Sequence, residues 1–151
     1  MPNPLFLSQL EQDLVEIDQR LLAIINRYRH VVQRLEDETE GPWVKPVRSR
    51  LDELETDHKK FKKALEARNL LPHAPETDLE DLKRAAASVR AWIENNQTQA
   101  LLNWLIETEQ DWQQTLSTFE TSELQGTEIE RLRANAREAI DALSGTMDAE
   151  P

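Results

Sequence analysis

The sequence predicts an all-α fold: a four-helix bundle with antiparallel helix pairs and a short extra helix in the crossover between helices two and three. Three observations carry this prediction. Apolar residues recur at alternating steps of four and three along the long stretches of the chain. Only three glycines interrupt 151 residues. Charged residues make up 31% and hydrophobic residues 38%, a balance that favours long amphipathic helices over strands.

The first helix is expected from about Ser8 to Asp37. Ser8 and Glu11 have capping-box spacing, in which each side chain satisfies a free backbone N–H at the helix start. Leu10, Leu14, Ile17, Leu21, Ile24, Tyr28, Val31 and Leu35 form its seam. Ile25 and Val32 widen that seam, which suits a bundle core better than a two-stranded coiled coil. Gly41-Pro42 ends the pattern and restarts it, because proline fits a first helical turn. The second helix carries Val47, Leu51, Leu54, His58, Phe61 and Leu65 on one face, with Trp43 packing at its start. The short link between these helices implies antiparallel neighbours.

Pro72 and Pro75 bound an irregular connection. Thr77 and Glu80 form a second capping box, and Leu79, Leu82, Ala86, Val89 and Ile93 mark the short helix. Asn95-Asn96 interrupts it. A further long helix places Leu102, Leu105, Glu109, Trp112, Leu116 and Phe119 on one face. Gly126 breaks the chain again. Thr127 and Glu130 form a third capping box, and Ile129, Leu132, Ala136, Ile140 and Leu143 face inward on the last helix. One domain spans residues 1–151, with an ordered core of about 8–144 and a tail, 145–151, expected to fray.

Net charge is −11, so nucleic acid and anionic membranes are disfavoured partners, since both need concentrated positive charge. The absence of cysteine excludes disulfides, thiol nucleophiles and thiolate metal sites. The first residues read as neither signal peptide nor anchor, and no stretch is long and apolar enough to span a bilayer. A cytoplasmic location is expected. Nucleotide loops, serine triads and zinc-protease motifs are lacking.

Three polar residues occupy or border the predicted core. His58 stands in an otherwise apolar seam, Glu109 does the same between Leu105 and Trp112, and Glu55 lies one turn before His58. Glu-x-x-His on a helix points two metal-binding side chains inward from one turn. Carboxylates with imidazole suit iron, manganese or zinc. Each residue also has a plainer reading. A single histidine on an apolar face, such as His58, is more often a hydrogen-bonded core residue than a ligand. Glu55 can pair with Lys59 four residues on. Glu109 can tilt to solvent at a bundle end, or the helix can rotate so that Thr108 and Leu101 face inward. Trp92, Trp104 and Trp112 read as core or interface anchors. The lysines of His58-Lys59-Lys60-Phe61-Lys62-Lys63 read as a solvated face paired to the abundant glutamates.

The chain resembles the ferritin-like superfamily, and within it small bacterial ferritin-like four-helix-bundle proteins, over residues 8–144. The likeness rests on Arg27-Tyr28-Arg29, the His58-Lys59-Lys60-Phe61 segment followed by Leu65, the extra short helix in the crossover, and the acidic Glu107-Thr108-Glu109-Gln110-Asp111. Active di-iron members draw a carboxylate from helix one, Glu-x-x-His from helices two and four, and a glutamate from helix three. The resemblance therefore implies Glu55, His58 and Glu109 as metal ligands here, with Asp18 as an edge carboxylate. Helix four departs from the pattern: it reads Glu130-x-x-Arg133, and arginine stays protonated and binds no metal. Arg133 is expected instead to neutralise a buried glutamate, Glu109 or Glu55.

The expectation is a non-catalytic bundle whose di-iron site is lost or reduced, with no cofactor, acting through a protein partner and pairing as a homodimer. One alternative is a ferritin-like protein that binds iron or manganese for oxygen chemistry. A second is an acidic helical adaptor or chaperone.

Overall fold

A computed structural model describes residues 9–34, 43–67, 79–95, 97–118 and 127–149. Five helices make up the fold: α1 (Gln9–Arg34), α2 (Val44–Ala67), α3 (Leu79–Glu94), α4 (Thr98–Ser117) and α5 (Thr127–Ala149). No strand occurs among the described residues. Ser8, Gly41, Pro42, Thr77, Phe119 and Gly126, on which several boundary expectations rest, lie outside them.

The seams become the core. Ile17, Leu21, Tyr28 and Val31 of α1 are fully shielded from solvent, as are Val47, Leu54 and Leu65 of α2 and Leu102, Leu105 and Leu116 of α4. Burial of such side chains stabilises by about 1.5–3 kcal/mol each before conformational entropy is charged against it. Neighbours run from α1 to α2, α2 to α5, α5 to α4 and α4 back to α1. The short helix α3 lies against α1 and α4 and contributes the buried Val89.

Local chemistry accounts for the boundaries. Pro46 sits in the first turn of α2, where its missing N–H would have no helical acceptor anyway. The next residue closes that turn, Val47 N–H donating to the Trp43 carbonyl at 3.4 Å. α3 stops at Glu94, and the Gln97 N–H turns back to the Trp92 carbonyl at 2.7 Å. α4 begins at the next residue, Thr98, so the chain forms two helices here.

The C-terminal end differs from expectation. Instead of fraying at 145, α5 continues through Gly145 to Ala149. Leu143 is buried, and Met147, one turn later, packs against the core. This anchorage offsets the roughly 1 kcal/mol that a mid-helix glycine costs relative to alanine.

Candidate functional site

Among the described residues, Glu109 is the most deeply buried ionic side chain, at 0% exposure. The seam places its Cα between Leu105 and Trp112, and both of these side chains are buried as well. Thr108 and Leu101 are also buried, so α4 presents a wide inward face and both orientations open in the sequence are realised together.

A carboxylate in such surroundings must be neutralised and hydrogen-bonded. Two other helices supply what is needed. Arg50 of α2 donates from Nε to Oε2 at 2.5 Å and from Nη2 to Oε1 at 2.8 Å, a two-pronged bond that matches the carboxylate plane. Tyr28 of α1 donates its hydroxyl to Oε2 at 3.1 Å. The remaining edge of the guanidinium reaches the more exposed Glu53 through Nη1 at 2.5 Å. Burial works against the charge on Arg50, but its bonds to Glu109 and the negative charge there outweigh this and hold it protonated more firmly than an ordinary arginine. Burial, then the adjacent Glu109 charge, push the Tyr28 hydroxyl well above its usual range. The cluster is one cation, one shielded anion and one neutral phenol, with Glu53 at the rim.

A second polar group forms between α1, α2 and α5. His58 Nε2 lies 3.0 Å from Asp18 Oδ1. Asp18 is 1% exposed, although the seam reading put it only on the edge of α1. Its other oxygen, Oδ2, is buried with no hydrogen-bond partner. His58 is the more exposed member of the pair, with 18% of its side chain open to solvent. The neighbouring Asp57 is buried, accepts from Asn135 Nδ2 of α5 at 2.8 Å and lies 3.6 Å from Arg131 Nε.

The residues expected to converge on a metal are therefore divided. Glu55 turns outward to Arg29 of α1 at 3.4 Å, in place of Lys59. His58 faces Asp18, and Glu109 belongs to the other cluster. The expected bond between Arg133 and Glu109 is not among the contacts of Glu109, whose oxygens are occupied by Arg50 and Tyr28. Among the described residues no group of three or more histidine or acidic side chains is arranged to hold a metal ion. A di-iron centre drawn from Glu55, His58, Glu109 and Asp18 does not fit this arrangement. Lys59, Lys60, Lys62 and Lys63 are exposed and have no ion pair among the described residues.

Arg50 and Asp57 escaped the sequence reading, although a signal for them exists. Arg50 and Asp57 each stand one position before a member of the apolar stripe, Leu51 and His58, and with Leu54 and Phe61 they repeat the same steps of four and three. All four are buried, so α2 inserts a wider face than its apolar residues mark. Beside Arg50, an open cleft of about 190 Å³ runs between α2 and α5, lined by Pro46, Ser49, Glu53, Glu138 and Leu143. It is smaller than the 300–1,000 Å³ usual for sites that enclose a drug-sized ligand.

Chemically, Glu109 is a carboxylate with donors on both oxygens and a cation in contact. To ligate a metal, such a group would first have to break a charge-assisted bond.

No protein-family model, curated protein or solved structure matches this chain. No helix among the described residues is long and apolar enough to cross a membrane.

Proposed function

We propose that this chain is a non-catalytic, ferritin-like helical bundle that acts by binding protein, pairs with itself as a homodimer and carries no cofactor. The contact register supports antiparallel neighbours. Asp18 of α1 meets His58, while the later Arg29 meets the earlier Glu55 of α2. Asp57 of α2 meets Asn135, while the earlier Pro46 and Glu53 share a cleft with the later Glu138 and Leu143 of α5. The long connection between α2 and α4, with α3 within it, supports the reading, because a long crossover of this kind distinguishes ferritin-like bundles from up-and-down ones.

The observation that carries the reading is the closed charge balance of Glu109. Where a ferritin-like bundle would present a carboxylate to iron, this chain presents one already bound by Arg50 and Tyr28. The test is elemental analysis of the full chain after anaerobic ferrous loading and desalting at neutral pH. The expected result is folded protein without retained iron. Stoichiometric iron that disappears in His58→Ala would overturn this reading and restore the oxygen-chemistry alternative.

A further inference from the structure

Arg27, on the outer side of α1, is held by two contacts that fix its guanidinium in place. Thr108 of α4 donates its hydroxyl proton to the Trp104 carbonyl at 2.9 Å. With that proton committed, the Thr108 oxygen is left as an acceptor, and Arg27 Nη1 donates to it at 2.8 Å. The guanidinium carbon stands 5.5 Å from the centre of the Trp104 ring. Trp104 in turn tilts at 54° against Trp92 of α3, with 5.7 Å between ring centres. Three helices thus build one rigid aromatic and cationic patch. Both tryptophans are only partly buried and Arg27 is exposed.

This arginine differs from the others whose contacts are described. Arg20, Arg29, Arg50 and Arg131 each face a carboxylate within their own chain. Arg27 faces none among the described residues; its partners are a hydroxyl and an indole ring. A carboxylate with no cation partner among the described residues stands one helical turn after Trp104 on α4. Glu107 precedes Thr108 on α4, is exposed, and accepts only from Asn103 Nδ2 at 3.3 Å. Arg27 is engaged by Thr108 and Trp104, and Glu107 has no cation partner among the described residues.

We infer that the Arg27–Trp104–Trp92 face is where two copies of this chain pair, with Arg27 of one copy binding the partner's Glu107 and the reciprocal bond forming by two-fold symmetry. The inference rests on the homodimer reading above and specifies its surface. A two-fold interface uses the same patch twice, so the patch must complement itself. A cation with no carboxylate and a carboxylate with no cation among the described residues, one over the Trp104 ring and one a helical turn from Trp104, meet that requirement. Tryptophan and arginine are also the residues that most often dominate interface energies, and ordering Arg27 before association lowers the entropy lost on binding. At physiological salt the Debye length is about 8 Å, so the local charge pair counts more than the repulsion between two acidic bodies.

Sedimentation velocity on the full chain across a concentration series tests this. Wild type is expected to be a reversible dimer. Arg27→Glu sets two acids against each other and raises the dimer dissociation constant on the order of 100-fold. Glu107→Arg, at an exposed position whose one side-chain hydrogen bond among the described residues comes from Asn103 within the same helix, does the same by opposing two cations. The double exchange Arg27→Glu with Glu107→Arg restores the dimer, a rescue that mere misfolding cannot produce. A wild-type dimer indifferent to both single changes overturns this surface and leaves the homodimer reading intact. Single changes that dissociate the dimer without rescue in the double variant overturn the Arg27–Glu107 bond. A wild-type monomer at every concentration overturns both the surface and the homodimer.

Discussion

Arg50 and Glu109 face each other through two parallel hydrogen bonds, and their side chains are 4% and 0% exposed. They come from different helices, separated by 59 positions in the chain. Each would be prohibitively placed alone, and together they form a neutral unit inside an apolar core.

Breaking the pair from one side should therefore cost more than removing it. Glu109→Leu leaves the buried Arg50 cation with only Glu53 at the rim and is expected to destabilise the fold by about 3–5 kcal/mol. Arg50→Met combined with Glu109→Leu removes both charges of this pair and should recover most of that loss. Urea unfolding of the two variants decides the matter: equal stabilities would mean that the buried charge is not what the single variant suffers from.

Tyr28 gives the cluster a pH signature. A phenol whose ionisation is pushed up in the folded state contributes stability that is fully present below the unfolded value of about 10 and is lost as pH rises beyond it. Stability should thus fall in alkali, and Tyr28→Phe should flatten that part of the profile. Tyr28 is the single tyrosine of the chain, so tyrosinate absorbance reports this site alone. A phenol titrating at the ordinary value in the folded protein would contradict the burial and the Glu109 contact. In the neutral range the same variant loses a bond to a charged acceptor and is expected to cost about 1.5–3 kcal/mol.

The Asp18–His58 pair predicts a different pattern. His58→Ala leaves both oxygens of a buried carboxylate without a partner and should destabilise by about 1–3 kcal/mol. Adding Asp18→Ala removes the stranded group, so the double variant should be less damaged than the sum of the two singles. Strict additivity in thermal unfolding would show that the two side chains do not interact.

Gly145 offers a gain in stability. It is exposed within α5, and a Cβ added there meets nothing within 4 Å. Gly145→Ala is expected to stabilise by about 1 kcal/mol, the helix-propensity difference between the two residues. No change in the unfolding midpoint would mean that the helix ends before Gly145 and that the chain frays from there.

Much of the helical layout is legible in the residue order because it depends on local periodicity. Leu54, Phe61 and Leu65 fall on one face of α2 whatever surrounds them, since 3.6 residues per turn requires it. The same arithmetic puts Glu109 inside, between Leu105 and Trp112. It also marks His58 as a position near the core, yet it misjudges Asp18 and overlooks Asp57, which lie one position to the side of their apolar stripes and are nevertheless buried.

The sequence by itself determined the helices, their apolar faces and the presence of charge within the core. The partner of each charge was decided only by the tertiary structure. Whether Glu109 meets Arg50 or Arg133 depends on how far each helix is rotated and slid against its neighbours, and a shift of one turn exchanges one guanidinium for another. Periodicity within a helix carries no information on that offset. It is set jointly by the packing of α1, α2, α4 and α5 around a shared core.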